Sequence, residues 1–234
     1  MSTEYQISQG YRPVATIGVD ARAGFINRTY NHLMGAIVLF TLIEVWFFQT
    51  GMAESIATTM LSGSWLLVLG AFMLVSWFAS RVSLTSESKG AQYAALGGFV
   101  VAESIIFVPM LWLANQNAPG AIQSAAVVTL VGFAGLTAVA FVTRKDFSFL
   151  RGMLMWGGVV AMLAIVGGIA FGFELGTWFS VAMIGFAGAA ILYDTSNVLH
   201  HFPEDRYVGA ALQLFASVAL MFWYVLRLFM SSDD

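Results

Sequence analysis

Three carboxylates, Glu44, Glu103 and Asp194, lie inside long apolar stretches of the sequence. If these stretches cross a membrane, each ionisable group costs at least about 2.5 kcal/mol to insert and marks an ion or proton path by default. Alternatively, each acid stays protonated and donates a hydrogen bond to a neighbouring helix. Pro109 follows Glu103 closely and removes a backbone donor, as in cation sites that form on interrupted helices. We expect Glu103 and Glu44 to line an ion path at different depths.

A second polar group repeats with helical spacing near the end of one apolar stretch. Asp194, Asn197 and His201 stand at positions i, i+3 and i+7, so they share one helix face. A carboxyl and an imidazole can both report proton concentration, and we expect a pH-sensing gate at Asp194 and His201, with Asn197 on the ion path. The histidines at 200–201 and the acids at 204–205 are not expected to bind a metal, because adjacent ligands without a second anchoring helix rarely chelate.

Other kinds of chemistry have no support in the sequence. The chain has no cysteine, which excludes thiol catalysis and disulfides. It has no nucleophile elbow and no zinc-binding His/Glu helix, and the apolar stretches contain no lysine that could hold retinal. A net charge of −3 without a basic patch argues against nucleic acid as a partner. We therefore expect a protein without a cofactor that is not an enzyme.

The composition indicates which elements position the acids. Only 10% of the 234 residues are charged, 59% are hydrophobic, and the mean hydropathy is +0.81. A soluble domain is about one quarter charged, so this composition cannot cover a water-facing surface. The sequence predicts a polytopic membrane protein whose solvent is the lipid bilayer.

Seven apolar stretches are long enough to cross a bilayer as helices, and their apolar residues lie all around each helix. The sequence therefore predicts an all-α protein with a polar N-terminal tail at 1–30, a transmembrane domain at 31–230 and a short tail at 231–234. The predicted spans are 31–50, 60–80, 91–114, 121–143, 150–172, 177–199 and 208–230.

The basic residues predict the orientation of these spans. Lys and Arg occur before the first span and in alternate loops, whereas the loops at 51–59, 115–120 and 173–176 contain none. Because positive charge accumulates in cytoplasmic loops, the N-terminus is expected in the cytoplasm and the C-terminus in the periplasm of a bacterial inner membrane.

Three sequence motifs resemble the Bax inhibitor-1 (transmembrane Bax inhibitor motif) family. They are TRKDFSFL at 143–150, YDTSN at 193–197 and LRLF at 226–229, and the number and spacing of the spans also match. Asp146 and Ser148 in the first motif are alternatively an ordinary N-cap of the fifth span. The resemblance implies six helices around a central seventh helix and a proton-sensitive leak for Ca²⁺ or another cation.

In this family the leak is latched by two aspartates on the last two helices, which implies a role for Asp194. The second position falls at Ser217, and an arginine of the family at the end of the second helix corresponds approximately to Arg81. The resemblance therefore implies a latch formed by Asp194, Ser217 and Arg81, with an incomplete pair of aspartates.

The serine at 217, residues 195–197 and residues 149–150 look most like the bacterial branch of the family that modulates FtsH, a membrane-anchored AAA protease. In that branch the polar tail, residues 1–28, would be the segment that the protease grips. The sequence thus leaves a cation leak and a protease modulator as alternatives, and a purely structural subunit of a larger membrane complex as a third.

Overall fold

Eight α-helices make up most of residues 13–231, the part of the chain that the computed structural model describes, and this part contains no β-strand. Seven of the helices are long and apolar enough to cross a membrane, whereas α2 is short. The helices are α1 (Val19–Gln49), α2 (Met52–Ser62), α3 (Trp65–Thr85), α4 (Lys89–Asn117), α5 (Ala121–Thr143), α6 (Leu150–Phe171), α7 (Gly176–His200) and α8 (Tyr207–Met230).

The all-α prediction with seven spans is confirmed, and α8 is the central helix. In its most apolar stretch 72% of the residues are buried inside the bundle, compared with 6% in α6. It packs against α1, α3, α4, α5 and α7. The helix α4 is nearly as enclosed, with 67% of its apolar stretch buried.

The first helix begins at Val19, earlier than the expected start at 31, and this boundary of the predicted tail is wrong. Polar residues interrupt the apolar run before residue 31, so apolar length alone did not predict a helix there. Phe25, Thr29 and Leu33 are nevertheless buried on one face, because a spacing of four residues brings side chains to the same side of a helix. The predicted tail therefore includes more than two turns of a packed helix.

The segment before α1, which belongs to the predicted polar tail, is also packed. Val14 is fully buried, and its amide donates to the carbonyl of Phe202 at 2.9 Å. Arg22 donates to the carbonyl of Leu199 at 2.8 Å. Residues 1–12 of the predicted polar tail and residues 232–234 of the predicted C-terminal tail lie outside the described residues.

The ends of the bundle differ in charge. We call the end that carries residues 13–18, 86–88, 144–149 and 201–206 the charged end, because the basic residues of the loops lie there. Lys89 donates to the carbonyl of Asp205, and Arg206 donates to that of Leu84 at 3.0 Å, so these loops are bound to one another.

The opposite end carries α2, which the sequence did not predict. Ala53 and Ala57, one turn apart, are buried against Phe47 and Val108, and these small residues let the short helix lie close to α1 and α4. Gly51 adopts φ 75° between α1 and α2, a conformation that glycine reaches without steric cost. The expected loop 51–59 is therefore mostly a helix that covers this end.

Candidate functional site

Asp194 and Ser217 meet in the interior between α7 and α8. The hydroxyl of Ser217 donates to Oδ2 of Asp194 at 2.5 Å, and both residues are more than nine-tenths buried. Asp194 lies about 9 Å from the end of α7 at the charged end, given the rise of 1.5 Å per residue. One hydroxyl is a modest partner for a buried carboxylate, so the protonation state of Asp194 strongly affects this contact.

Arg81 is not part of this group. It is exposed on α3, where its guanidinium lies 5.9 Å from the centroid of the Trp77 ring. The buried residues on this part of α3 are Ala79 and Ser83, and a position two residues from each faces the other side of a helix. The described residues contain no ion pair between Arg81 and Asp194, and the latch expected from Arg81 is not formed.

His201 lies at the surface and contacts a different acid. Its Nε2 is 2.9 Å from Oδ2 of Asp146, and both side chains are nearly half exposed. The backbone amide of Ser148 and, to a lesser extent, His201 lower the pKa of Asp146 to about 2. Asp146 is therefore ionised at any physiological pH.

Asp146 is not an N-cap of α6, which the sequence offered as its ordinary role. Its carboxylate accepts from the amide of Ser148 at 2.9 Å and thereby shapes the loop before the helix. Asn197 is half-buried, and its backbone carbonyl accepts from the amides of His201 and Phe202 at the end of α7. The repeat of polar residues on α7 thus runs from the buried Asp194 to the exposed His201, but these residues do not form one cluster.

Glu103 lines a cavity of about 970 Å³ between α3, α4, α6, α7 and α8. The cavity runs from Glu174 and Ser231 at the opposite end of the bundle to Ser80, which lies about 8 Å from the end of α3 at the charged end. Glu103 is 6% exposed and lies near the middle of α4. A carboxyl group at mid-membrane depth therefore lines a cavity that spans much of the bundle.

A close contact of α3 and α8 lies between this cavity and the charged end. Gly209 of α8 sits directly against the backbone of Ser83, because a Cβ atom added there would be 2.7 Å from the Ser83 carbonyl oxygen. Ser83 is fully buried. The cavity residues on α3 end at Ser80, one turn before this contact.

Glu44 and Glu103, which were expected along one ion path at different depths, line different cavities. Glu44 lies about 8 Å from the end of α1 at the opposite end of the bundle. It lines a separate cavity of about 430 Å³ between α1, α4, α5 and α8. The two cavities lie on different sides of α8, and Ala219 of that helix borders both.

One residue with a clear positioning role was not singled out from the sequence. The buried Ser196 hydroxyl accepts from the amide of Phe147 at 2.9 Å and ties the loop between α5 and α6 to α7. Both partners belong to motifs that carry the family resemblance, at 143–150 and 193–197. The two hydroxyl residues that follow Asp194 in the sequence were the signal that could have indicated this role.

Several proteins of known sequence are similar to this chain. An uncharacterized protein of Pseudomonas aeruginosa is 34% identical over 165 residues, which cover 68% of this chain and 73% of that protein. A modulator of FtsH protease, YccA of Escherichia coli K12, is 37% identical over 95 residues, which cover 40% of this chain and 43% of YccA. A Golgi anti-apoptotic protein of vaccinia virus strain Lister is 23% identical over 220 residues, 92% of this chain and 88% of that protein.

The family comparison covers almost the whole chain. The family model described as "Inhibitor of apoptosis-promoting Bax1" matches residues 22–234. The match extends from the first packed turns of α1 through α8, and it includes the three motifs and the contact of Asp194 with Ser217. The chain is therefore a seven-span, all-helical member of the Bax inhibitor-1 family.

Proposed function

We propose that the protein is a proton-regulated leak for Ca²⁺ or another cation across a bacterial inner membrane. The observation that carries the proposal is the cavity of about 970 Å³ that is lined by Glu103 and extends from the opposite end of the bundle toward the charged end. A carboxylate at this depth offsets part of the cost of removing water from a cation half-way across a bilayer.

The polar residues along the cavity support passage of an ion. Ser76 and Ser80 of α3 and Ser180 of α7 line it together with Glu103, so hydroxyl oxygens accompany the carboxyl group. Glu174 stands at the entrance, where it attracts cations, and Arg227 at the same end is the one basic residue among the lining residues that the structure describes. An ion entering from that end would reach Glu103 before the contact of Ser83 with Gly209.

Two contacts are the candidate gate. The α3–α8 contact at Ser83 and Gly209 would close the cavity toward the charged end, and the bond from Ser217 to Asp194 joins α8 to α7 about two turns further along α8. Protonation of Asp194 removes a buried charge and weakens a charge-assisted hydrogen bond. A shift of α8 would then open the constriction.

Flux measurements in proteoliposomes test the leak directly. We expect the purified chain to carry Ca²⁺ into liposomes faster than protein-free liposomes, with different rates at pH 6 and pH 8. Glu103→Gln should lower the flux at least tenfold at both pH values, because the mid-membrane charge is lost. Glu54→Gln is the matched control, since Glu54 is exposed on α2 and lines neither cavity.

Flux equal to that of protein-free liposomes at both pH values would remove the leak from consideration. A Glu103→Gln variant with unchanged flux would instead move the ion path away from this cavity.

The orientation is part of the proposal, with the charged end in the cytoplasm. The chain lacks cysteine, so a single cysteine can report the side of each loop. We expect Asn117→Cys to react with an impermeant thiol reagent added to the periplasm, and Glu87→Cys to react only after the membrane is opened. Both positions are exposed. Asn117 is the last residue of α4, and Glu87 lies two residues before its first residue, at the other end of the helix. The reversed labelling pattern would invert the topology.

Modulation of an FtsH-type membrane protease is the second candidate function, favoured by the similarity to YccA, which is named a modulator of that protease. If the protein has this function, the segment that the protease grips is residues 1–12, which precede the packed Val14, rather than the longer segment 1–28. Residues after 12 are held by the contacts of Val14 and Arg22 at the charged end.

Protein turnover in cells tests the modulator. We expect production of the chain in E. coli without YccA to lengthen the half-life of a membrane-protein substrate of FtsH. Deletion of residues 2–12 should lengthen the lifetime of the chain itself while the bundle stays folded, because the buried contact of Val14 is kept. Cells with an inactive FtsH are the control. Unchanged half-lives of the substrate in producing cells would argue against modulation.

A further inference from the structure

The second cavity of the bundle contains a carboxyl group without a partner. Glu44 is 7% exposed, and neither of its carboxyl oxygens has a hydrogen-bond partner within residues 13–231. The hydroxyl of Thr129, which lines the same cavity, is also buried and unpaired within that range. Leaving a buried polar group unpaired costs about 1–3 kcal/mol, and native proteins rarely tolerate several such groups together. Two such groups beside one cavity indicate a ligand that supplies the missing hydrogen bonds.

The size and lining of the cavity suit a small, largely apolar molecule. Its volume of about 430 Å³ lies within the range of about 300–1,000 Å³ that is usual for small-molecule sites. Most of its lining is apolar, and it includes four phenylalanines, Phe40, Phe48, Phe215 and Phe222. Its polar lining residues are Thr41, Glu44, Gln49, Asn115 and Thr129.

The cavity borders the outer surface of the bundle, which determines how a ligand reaches it. Val45 and Leu130, on α1 and α5, line it and are 44% and 46% exposed. Both belong to helices that can cross a membrane, so these side chains face the lipid tails. An occupant that dissolves in the bilayer can therefore enter between α1 and α5.

The charged residues that line the cavity determine which polar group of a ligand fits there. The described lining contains no Lys or Arg, so a fatty acid would place a second carboxylate beside Glu44 without a counter-charge. A phospholipid amine would bring its phosphate into the same environment. An alcohol has one O–H donor for two carboxyl oxygens, whereas an ammonium group has three donors and a positive charge. The phenylalanine rings also favour a cation.

We propose that this cavity binds a lipophilic amine, with the ammonium group on Glu44 and Thr129 and the apolar body among the phenylalanines. The site lies on a different side of α8 from Glu103, and its occupancy does not depend on whether the protein conducts ions. It adds a ligand site to the bundle that is separate from the cavity of the proposed leak.

Three probes that share one apolar body test the chemistry: 1-adamantylamine, 1-adamantanol and 1-adamantanecarboxylic acid. Each is titrated against the purified full chain in lipid nanodiscs, and the midpoint of thermal unfolding is followed, since a ligand that binds the native state raises it. We expect a saturable rise with the amine, an apparent affinity at least tenfold weaker with the alcohol, and no rise with the acid. Equal rises with all three probes, or none with the amine, would overturn the proposal.

Substitutions locate the site. Glu44→Gln keeps the volume and removes the charge, so it should weaken amine binding at least tenfold. Glu54→Gln, at an exposed position outside both cavities, and Glu103→Gln, in the other cavity, should bind the amine as the unmodified chain does. Amine binding that survives Glu44→Gln, or is lost with Glu103→Gln instead, would place the ligand elsewhere.

A second variant keeps the test decisive if Glu44→Gln does not fold. Ala126→Leu retains Glu44 and fills the cavity, which Ala126 lines from α5. It should abolish amine binding while size-exclusion chromatography still shows a folded protein. Unchanged amine binding by Ala126→Leu would contradict the proposed position of the apolar body.

Discussion

Asp194→Asn is expected to remove the dependence of cation flux on pH while the bundle stays folded. The amide has nearly the volume of the carboxyl, and its oxygen can still accept from the Ser217 hydroxyl, so the contact between α7 and α8 survives. Only the titration is lost. A charge-assisted hydrogen bond is worth about 1.5–3 kcal/mol, which corresponds to roughly a ten- to hundredfold change in the ratio of two conformations. The ratio of fluxes at pH 6 and pH 8 should therefore fall toward one.

Two variants distinguish Asp194 from its neighbours in the same proteoliposome assay. His201→Gln should keep the pH dependence, because His201 contacts the exposed Asp146 rather than the gate. Ser217→Ala should raise the flux at pH 8 and reduce its dependence on pH, because protonation of Asp194 then has no hydrogen bond to weaken. If Asp194→Asn kept the profile and His201→Gln flattened it, the sensor would be the histidine at the surface.

Gly209→Ala is expected to destabilise the bundle by about 1–3 kcal/mol, the usual cost of extra volume in a packed core. The added methyl would lie 2.7 Å from the carbonyl oxygen of Ser83 and 3.1 Å from its carbonyl carbon. These are backbone atoms of a helix, so they cannot turn aside as a side chain can. The helices α3 and α8 must separate, and if their contact closes the ion path, the flux at pH 8 should also rise.

Unfolding of the purified variants in a detergent titration measures this effect. Gly98→Ala is the matched control, because nothing lies within 4 Å of the added methyl in the middle of α4. Gly157→Ala should have an intermediate effect, since the nearest atom, at 2.9 Å, belongs to the Phe186 ring, which can shift. Equal unfolding midpoints for Gly209→Ala and Gly98→Ala would show that the close approach of α3 and α8 is not needed for stability.

The sequence alone predicted the number of spans and most of their positions, because apolar length is a one-dimensional property. The limits of α5 agree with the prediction, since Gly120 precedes it with φ 84° and Arg144 follows it with φ 50°, outside the helical conformation. The start of α1 could not be predicted in this way. Its first turns carry polar residues, and they are stable as a helix because Phe25 and Thr29 pack into the bundle.

The sequence also identified the acids by their cost in a membrane. Ser217 was recognised only through the family resemblance, because a serine in an apolar helix carries no signal of its own. Arg81 was expected at the latch from its position along the chain, but position does not determine which way a side chain faces around a helix.

Only the tertiary structure decided how the three acids are grouped. The rotation of each helix about its own axis, and its neighbours in the bundle, place Asp194 against Ser217, Glu103 on one cavity and Glu44 on another across α8. In a membrane the apolar residues lie all around each helix, so the hydrophobic pattern that orients a helix in a soluble protein is missing. Close packing at small residues such as Gly209 sets the rotation instead, and such contacts depend on pairs of residues far apart in the sequence.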